Sequence, residues 1–158
     1  MVKYIGEKDY EHGSKEKTGV LITNLGTPDA PERRELKVYL NQFLSDPRVI
    51  ELPKFLWQAI LKLVILQIRP SKSAKSYKKI WTNNGSPLLD ISKRQLVKIK
   101  SAFSNSNKNM VFELGMRYGN PSIQDALNKF QKKQVRRLLV LPMYPQYCAA
   151  TTGSTFDE

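Results

Sequence analysis

Apolar and polar positions along the chain follow two different periods in turn, which predicts strands separated by helices. The run GVLITN (residues 19–24) is short, apolar and β-branched, and the turn-forming segment LGTPDAP follows it. Leu36, Leu40 and Leu44 then recur at helical spacing, and Pro31 suits the first turn of the helix that carries them. The first unit is therefore predicted to be a buried strand followed by an amphipathic helix.

Two further apolar runs have the same strand character, MVFELGM (residues 110–116) and RLLVLPM (residues 137–143). One helix is predicted over residues 92–103. Another is predicted after the second strand, with Asn120 as its cap and Pro121 in its first turn. Strands that alternate with helices indicate an α/β domain with a parallel sheet and right-handed crossovers.

The predicted sheet also locates a binding edge, because ligands of such sheets bind outside the carboxyl ends of the strands. Those ends carry the segments LGTPDAP, RYGNP and YPQYCAATTGS. They bring together one fixed cation, Arg117, and the aromatic side chains of Tyr118, Tyr144 and Tyr147. The edge suits a flat aromatic anion. The structural alternative is that these turn-rich segments only shape loops.

The segment FLWQAILKLVILQI (residues 55–68) is apolar nearly all round, with Lys62 as its only charge. As a helix it would reach about 21 Å, which is short of the roughly 30 Å hydrocarbon core of a bilayer. Its pattern favours a buried helix. The alternative is an exposed apolar lip that rests on a membrane surface or covers an apolar ligand.

Composition adds a strong positive charge. The chain has 26 Lys and Arg against 14 Asp and Glu, for a formal charge of +12 and a sequence pI near 9.8. Between Lys62 and Lys100, ten basic residues face a single acidic one, Asp90. Anionic partners are therefore favoured. A basic nucleic-acid-binding module is one alternative, and it predicts steeply salt-dependent binding.

The single cysteine, Cys148, cannot form an internal disulfide and suits a reducing cytosol. Residues 1–17 mix charges of both signs and lack the apolar run of a signal peptide, so they are predicted to be a flexible lead-in. The only histidine, His12, lies in that lead-in, and no cluster of ligands has metal-binding spacing. The residues predict a binding edge without an evident proton-transfer group.

The two best-known nucleotide fingerprints are also missing, since neither a P-loop nor a G-x-G-x-x-G turn follows a strand. One weaker phosphate signal remains. The segment TTGST (residues 151–155) is similar to the hydroxyl-rich phosphate loop of flavodoxins. A flavodoxin-like phosphate or flavin-binding module is therefore a second alternative.

Five segments, in this order along the chain, carry a family resemblance: TGVLITNLGTPDAP, FLSDPRVIELP, SYKKIWTNNGSPLL, LGMRYGNPSI and LLVLPMYPQYCAATTGSTFDE. Over residues 18–158 they resemble the N-terminal half of the ferrochelatases, which insert ferrous iron into a porphyrin as the last step of haem synthesis. The resemblance implies a Rossmann-like, chelatase-type α/β lobe, the first of two similar lobes that enclose the macrocycle. It also implies that the second lobe is missing from this chain.

The resemblance assigns six residues to the porphyrin. It implies that Arg117 and Tyr118 lie over one face and that Leu25 gives the apolar contact near the metal. It also implies that Arg69, Tyr77 and Ser86 hold the propionates or the ring edge. A guanidinium suits a carboxylate, and aromatic or aliphatic faces suit a flat macrocycle. No catalytic or metal-binding residue is expected here, because the family's histidine base and its glutamate partner belong to the second half.

The resemblance also concerns membranes and cofactors. Residues 55–68 correspond to the family's lip over the porphyrin, which favours the exposed interpretation. We therefore expect a cytoplasmic protein with peripheral contact through residues 55–79 at the inner face of the membrane, and no nucleic-acid partner. Some ferrochelatases hold an iron–sulfur cluster, but Cys148 lies one place early. No resident cofactor is expected, and ferrous iron is expected only as a substrate.

Overall fold

The computed structural model of the protein describes residues 12–13, 15–103 and 109–158. Most of the predicted lead-in and most of the predicted loop at residues 104–109 lie outside the described residues. The strands are β1 (Lys17–Thr27), β2 (Met110–Gly119) and β3 (Val135–Pro142). The helices are α1 (Arg33–Ser45), α2 (Lys54–Ile60), α3 (Leu66–Ile80), α4 (Pro87–Phe103), α5 (Ile123–Lys132) and α6 (Ser154–Asp157), with π-helical turns at Leu61–Ile65 and Ala149–Gly153.

The three strands form one parallel sheet in the order β2–β1–β3. In the register of this sheet, Val20 of β1 lies between Phe112 of β2 and Leu139 of β3. The central strand is buried along its middle, because helices cover both of its faces. The predicted α/β class and parallel sheet are confirmed.

The two faces of the sheet have separate cores. On one face, Val20 and Ile22 pack with Leu96 and Ile99 of α4. On the other face, Leu21 packs with a stripe of α5 formed by Ile123, Ala126 and Phe130. Successive residues of β1 thus point to opposite helices, as the period of a strand requires.

Three predicted helix starts shift. Helix α1 begins at Arg33 with Glu32 as its N-cap, so Pro31 precedes the helix. Helix α4 begins at Pro87, five residues before the predicted position. Helix α5 begins at Ile123, two residues after the Pro121 predicted for its first turn.

Ser122, and not Asn120, caps helix α5. The hydroxyl of Ser122 accepts the backbone N–H of Asp125 at 3.0 Å, and the Asp125 carboxylate accepts the backbone N–H of Ser122 at 3.2 Å. This reciprocal capping box needs a spacing of three residues, which Asn120 does not have. The Asn120 side chain instead donates to the carboxylate of Asp29 at 2.8 and 3.0 Å.

The prediction of a buried helix over residues 55–68 is wrong. The segment forms α2, a π-helical turn and the start of α3, and only one side of it packs against α1. Leu61 and Leu66 lie on that side and are 0% and 4% exposed, whereas Phe55 and Leu63 are 91% and 75% exposed. The exposed interpretation, which the resemblance favoured, is confirmed for these side chains. No helix in the described part of the chain is long and apolar enough to cross a membrane.

Candidate functional site

A buried group of charged and hydroxyl side chains lies at the carboxyl end of the sheet. It comprises Asp46 after α1, Arg117 and Tyr118 at the end of β2, and Ser154 at the start of α6. We call these four residues the Asp46 cluster. The side chains of Asp46 and Arg117 are 3% and 15% exposed. The predicted convergence of strand ends therefore occurs, and a carboxylate lies at its centre.

Four donors satisfy the carboxylate of Asp46. Its Oδ2 accepts Nη2 of Arg117 at 2.9 Å and the hydroxyl of Tyr118 at 2.7 Å, and the hydroxyl of Ser154 also donates to it. Its Oδ1 accepts the backbone N–H of Arg48 at 2.7 Å. Burial favours the neutral acid, but the hydrogen bonds and the nearby guanidinium outweigh it, so the pKa of Asp46 is lowered. Asp46 is therefore charged at neutral pH.

Each of the three nitrogen atoms of the Arg117 guanidinium donates a hydrogen bond. Its Nε donates to the carbonyl oxygen and the hydroxyl of Ser154 at 2.9 and 2.7 Å, and Nη2 faces Asp46. On the outer side Nη1 donates to Glu158 at 2.6 Å, and that carboxylate is 37% exposed. An anionic ligand could reach Arg117 from the Nη1 side by taking the place of Glu158.

Tyr118 is 2% exposed and belongs to the hydrophobic core. Its ring meets Phe43 edge-on at 5.2 Å and lies under the Arg117 guanidinium at 4.8 Å. Burial raises the pKa of its hydroxyl above the ordinary value. The direct porphyrin contact predicted for Tyr118 would require its ring to be uncovered, because the ring has almost no surface in this arrangement.

Leu25 and Tyr77 lie close to the same core. Leu25 is half-buried at the end of β1 and packs against the cluster that contains Tyr39, Leu61 and Tyr118. Tyr77 of α3 is half-buried, and its ring centroid lies 6.3 Å from that of Trp81. Burial raises the pKa of Tyr77, and a hydrogen bond with Tyr39 opposes part of that rise. Tyr39 therefore connects Tyr77 to the strand ends.

Arg69 and Ser86 lie on separate elements. Arg69 is exposed on α3. Ser86 is 4% exposed just before α4, where its carbonyl accepts the backbone N–H of Asp90 at 3.0 Å. The structure therefore brings Arg117 and Tyr118 into one cluster and joins Leu25 and Tyr77 to it through hydrophobic contacts and Tyr39. Arg69, on α3, and Ser86, just before α4, have no contact with this cluster among those described here.

A family model described as Ferrochelatase matches residues 17–158, which include all three strands and the whole of this edge. The chain belongs to the ferrochelatase family. It is 51% identical to the ferrochelatase of Idiomarina loihiensis over 157 residues, which are 99% of this chain and 43% of that relative. It is 54% identical to the ferrochelatase of Alcanivorax borkumensis over 155 residues, 98% of this chain and 46% of that relative. The chain spans less than half the length of these curated relatives.

The phosphate-loop alternative for the TTGST segment is not supported in this ferrochelatase lobe. The segment forms a π-helical turn that leads into α6, and Gly153, Ser154 and Thr155 are buried. The hydroxyl of Ser154 donates to Asp46, and that of Thr155 donates to the carbonyl of Thr151 at 3.0 Å. A phosphate at these hydroxyls would also meet the Asp46 carboxylate, which repels an anion.

Sequence reasoning missed Asp46, Ser154 and Tyr39. Asp46 stands before Pro47, a pair that usually marks an exposed turn. Its partner Arg117 is 71 residues away in sequence, so no local pattern predicts their contact. The only signal was the segment FLSDPRVIELP, which carried the resemblance without indicating that its aspartate is buried.

The described residues offer no metal site of their own. Within residues 12–13, 15–103 and 109–158, no three His, Cys, Asp or Glu side chains are grouped so that they could hold a metal ion. Cys148 is exposed and is the only cysteine of the sequence. An iron–sulfur cluster is held by four ligands, usually cysteines, so this chain does not fit one by itself.

Proposed function

We propose that the chain forms the porphyrin-binding lobe of a ferrochelatase, which inserts ferrous iron into protoporphyrin to form haem. The observation that carries this proposal is the family match over residues 17–158. The curated relatives that match at about half identity are named ferrochelatase. In this function ferrous iron is a substrate, and no resident cofactor is proposed.

The outer side of α2 has the apolar character that suits a macrocycle. Leu61 packs in the same core cluster as Leu25 and Tyr118, while Phe55 and Leu63 on the opposite side are exposed. A shallow groove of about 650 Å³ crosses α2 there, lined by Lys54, Phe55, Gln58, Ala59, Lys62 and Leu63. Apolar and aromatic side chains with a few flanking cations suit a flat ring that bears carboxylates.

Five of the six predicted site residues have a direct role in this proposal, and the buried Tyr118 has none. Arg69, exposed on α3, would pair with a propionate, and the half-buried Tyr77 would contact the ring edge with Ser86. Leu25 would give the apolar contact near the metal. Arg117 would act at the ring face through its outer Nη1, which is the side that the partly exposed Glu158 occupies.

Metal insertion also needs a proton acceptor, since two pyrrole N–H groups must lose their protons. The only histidine of the sequence is His12, in the lead-in. The resemblance assigns the base and its partner glutamate to the family's second half. We therefore propose that this lobe binds porphyrin and does not insert iron by itself.

Peripheral membrane contact through residues 55–79 is the further part of the proposal. Phe55 and Leu63 are exposed, and α3 adds exposed lysines at positions 72, 75, 78 and 79. Apolar side chains beside cations favour a surface of anionic lipids at the cytoplasmic side of a membrane. Vesicles with anionic lipid should sediment the chain, and Leu63→Glu should abolish this. Val97→Glu, at an exposed position of α4, is the matched control and should bind like wild type.

The porphyrin proposal is tested by titrating protoporphyrin into the purified chain and following the Soret band. Arg69→Ala should weaken binding about tenfold, the loss expected from one charge-assisted hydrogen bond. Arg94→Ala is the matched control, because Arg94 is an exposed arginine of α4 that pairs with Asp90 at 3.1 Å. With the dimethyl ester of the porphyrin, Arg69→Ala and wild type should bind equally well. If Arg69→Ala and wild type bound the free-acid porphyrin equally well, the proposed role of Arg69 would be contradicted.

A further inference from the structure

We propose that Asp46 is a positioning residue, which holds Arg117 and Tyr118 in the orientation that the porphyrin edge uses. This inference rests on the proposed function, since it names a residue that acts on that same edge. Asp46 would not touch the substrate. It would act through the two side chains that its carboxylate binds.

Several elements of the fold meet at the one carboxylate of Asp46. Asp46 follows α1, Arg117 and Tyr118 end β2, and Ser154 begins α6. Their sequence separations from Asp46 are 71, 72 and 108 residues. One buried side chain therefore ties three segments of the strand-end edge together, and a shift of Asp46 would move all of them.

Arg117 has a buried partner on its inner side and a partly exposed partner on its outer side. Its inner Nη2 pairs with Asp46, which is 3% exposed, and its outer Nη1 pairs with Glu158, which is 37% exposed. The inner contact fixes the plane of the guanidinium, because a guanidinium donates in a rigid fork. The outer contact is the one that a ligand can replace. With Nη2 paired to Asp46, the Nη1 atom is the donor whose partner is the more exposed.

Tyr118 contacts both Asp46 and Arg117. Its hydroxyl donates to Asp46 at 2.7 Å while its ring lies beneath the Arg117 guanidinium at 4.8 Å. The ring therefore supports the guanidinium from below, and Asp46 holds both of them by hydrogen bonds. Removing the charge of Asp46 without changing its shape should loosen the guanidinium, which would then depend on Ser154 and Glu158 alone.

The test compares Asp46→Asn with Asp157→Asn in the whole chain. Asp157 is the matched control, because it is a carboxylate of the same neighbourhood that pairs with the exposed Arg48 at 2.6 Å. Two readouts are needed: solvent exchange of the Arg117 Nε–H by NMR, and the dissociation constant for protoporphyrin. Asp46→Asn should raise both by about tenfold, the effect of losing one charge-assisted hydrogen bond. Asp157→Asn should change neither by more than about twofold.

The possible results separate the two proposals. A purely structural Asp46 would lower the unfolding temperature and leave both readouts of the folded variant unchanged, which would overturn the inference. If wild type binds no porphyrin but Asp46→Asn still speeds the exchange, the proposed function fails and the hold on Arg117 stands. If Asp46→Asn does not fold, Tyr118→Phe serves instead, because it removes one donor of the same carboxylate and leaves the acceptors of the Arg117 Nε–H in place. Unchanged exchange in that variant would also overturn the inference.

Discussion

The Asp46 cluster and the outer side of α2 are both exceptions to the usual rule that charged side chains are exposed and apolar ones are buried. The cluster buries a charge, and the outer side of α2 exposes large apolar side chains. As whole residues, the charged Asp46 is 6% exposed and the apolar Phe55 is 91% exposed. Buried charges and exposed large apolar side chains are the exceptions that most often mark function. In the first region hydrogen bonds fix a geometry. The second region leaves an apolar surface free for a partner.

The two regions also differ in how they contribute to stability. The Asp46 carboxylate is satisfied by four donors, so removing it leaves those donors unpaired in the interior. Phe55 and Leu63 have little of their surface buried, so removing them leaves no comparable deficit. Substitutions should therefore separate a region on which the fold depends from a region on which binding depends.

The largest effect should come from Asp46→Ala, which leaves the nearly buried Arg117 without its inner partner. Breaking such a buried pair should lower the free energy of unfolding by about 4 kcal/mol. Urea denaturation followed by circular dichroism measures this. Asp157→Ala, which removes an exposed carboxylate, should leave the unfolding midpoint unchanged. A midpoint shift of equal size in both variants would contradict the importance of burial at Asp46.

Leu61 and Leu63 sharpen the comparison within one π-helical turn, since they are 0% and 75% exposed. Leu61→Ala should lower the free energy of unfolding by about 3 kcal/mol, because it leaves a cavity in the core. Leu63→Ala should change it by less than about 0.5 kcal/mol. Thermal unfolding of the two variants side by side tests this, and similar losses would mean that something covers Leu63.

Tyr118→Phe removes one donor of the Asp46 cluster and keeps the ring in place. Its stability loss should be about 1 kcal/mol, the usual contribution of one hydrogen bond. The same urea titration measures it. A loss as large as that of Asp46→Ala would mean that the hydroxyl, and not the Arg117 pair, holds the cluster together.

The smallest effect is a dependence on acid pH. The pKa of Asp46 is lowered from its ordinary value of 3.8, so the unfolded chain binds its proton more readily than the folded chain does. The stability contributed by this group is complete above pH 3.8 and is lost as the pH falls through the lower folded pKa. Unfolding midpoints of wild type and Asp46→Asn should therefore converge below about pH 4. A constant difference down to pH 2 would contradict the lowered pKa.

Much of the sheet could be predicted from the sequence because its signals are local. Each strand is an apolar run followed by turn residues, and parallel strands place their carboxyl ends at one edge. The cap of α5 failed on a local choice, since Asn120 and Ser122 are both good caps. Only Ser122 has Asp125 at the spacing of a capping box.

The two regions of the comparison could not be predicted from local patterns. An apolar helix has the same pattern whether or not another surface covers it, so the sequence of residues 55–68 does not reveal that Phe55 is exposed. The burial of Asp46 depends on a partner 71 residues away. The family resemblance correctly predicted that the apolar segment is exposed, but it gave no indication of Asp46 or Ser154.

The proposed function requires this lobe to bind porphyrin. Trp57 of α2 packs against the core cluster that also contacts Leu25, and the ring of Trp81 lies 6.3 Å from that of Tyr77, so each lies near a predicted site residue. Titration of protoporphyrin into the folded chain should quench tryptophan fluorescence saturably, with one porphyrin bound per chain. A chain that circular dichroism shows to be folded, but whose fluorescence and Soret band show no saturable change, would contradict the account.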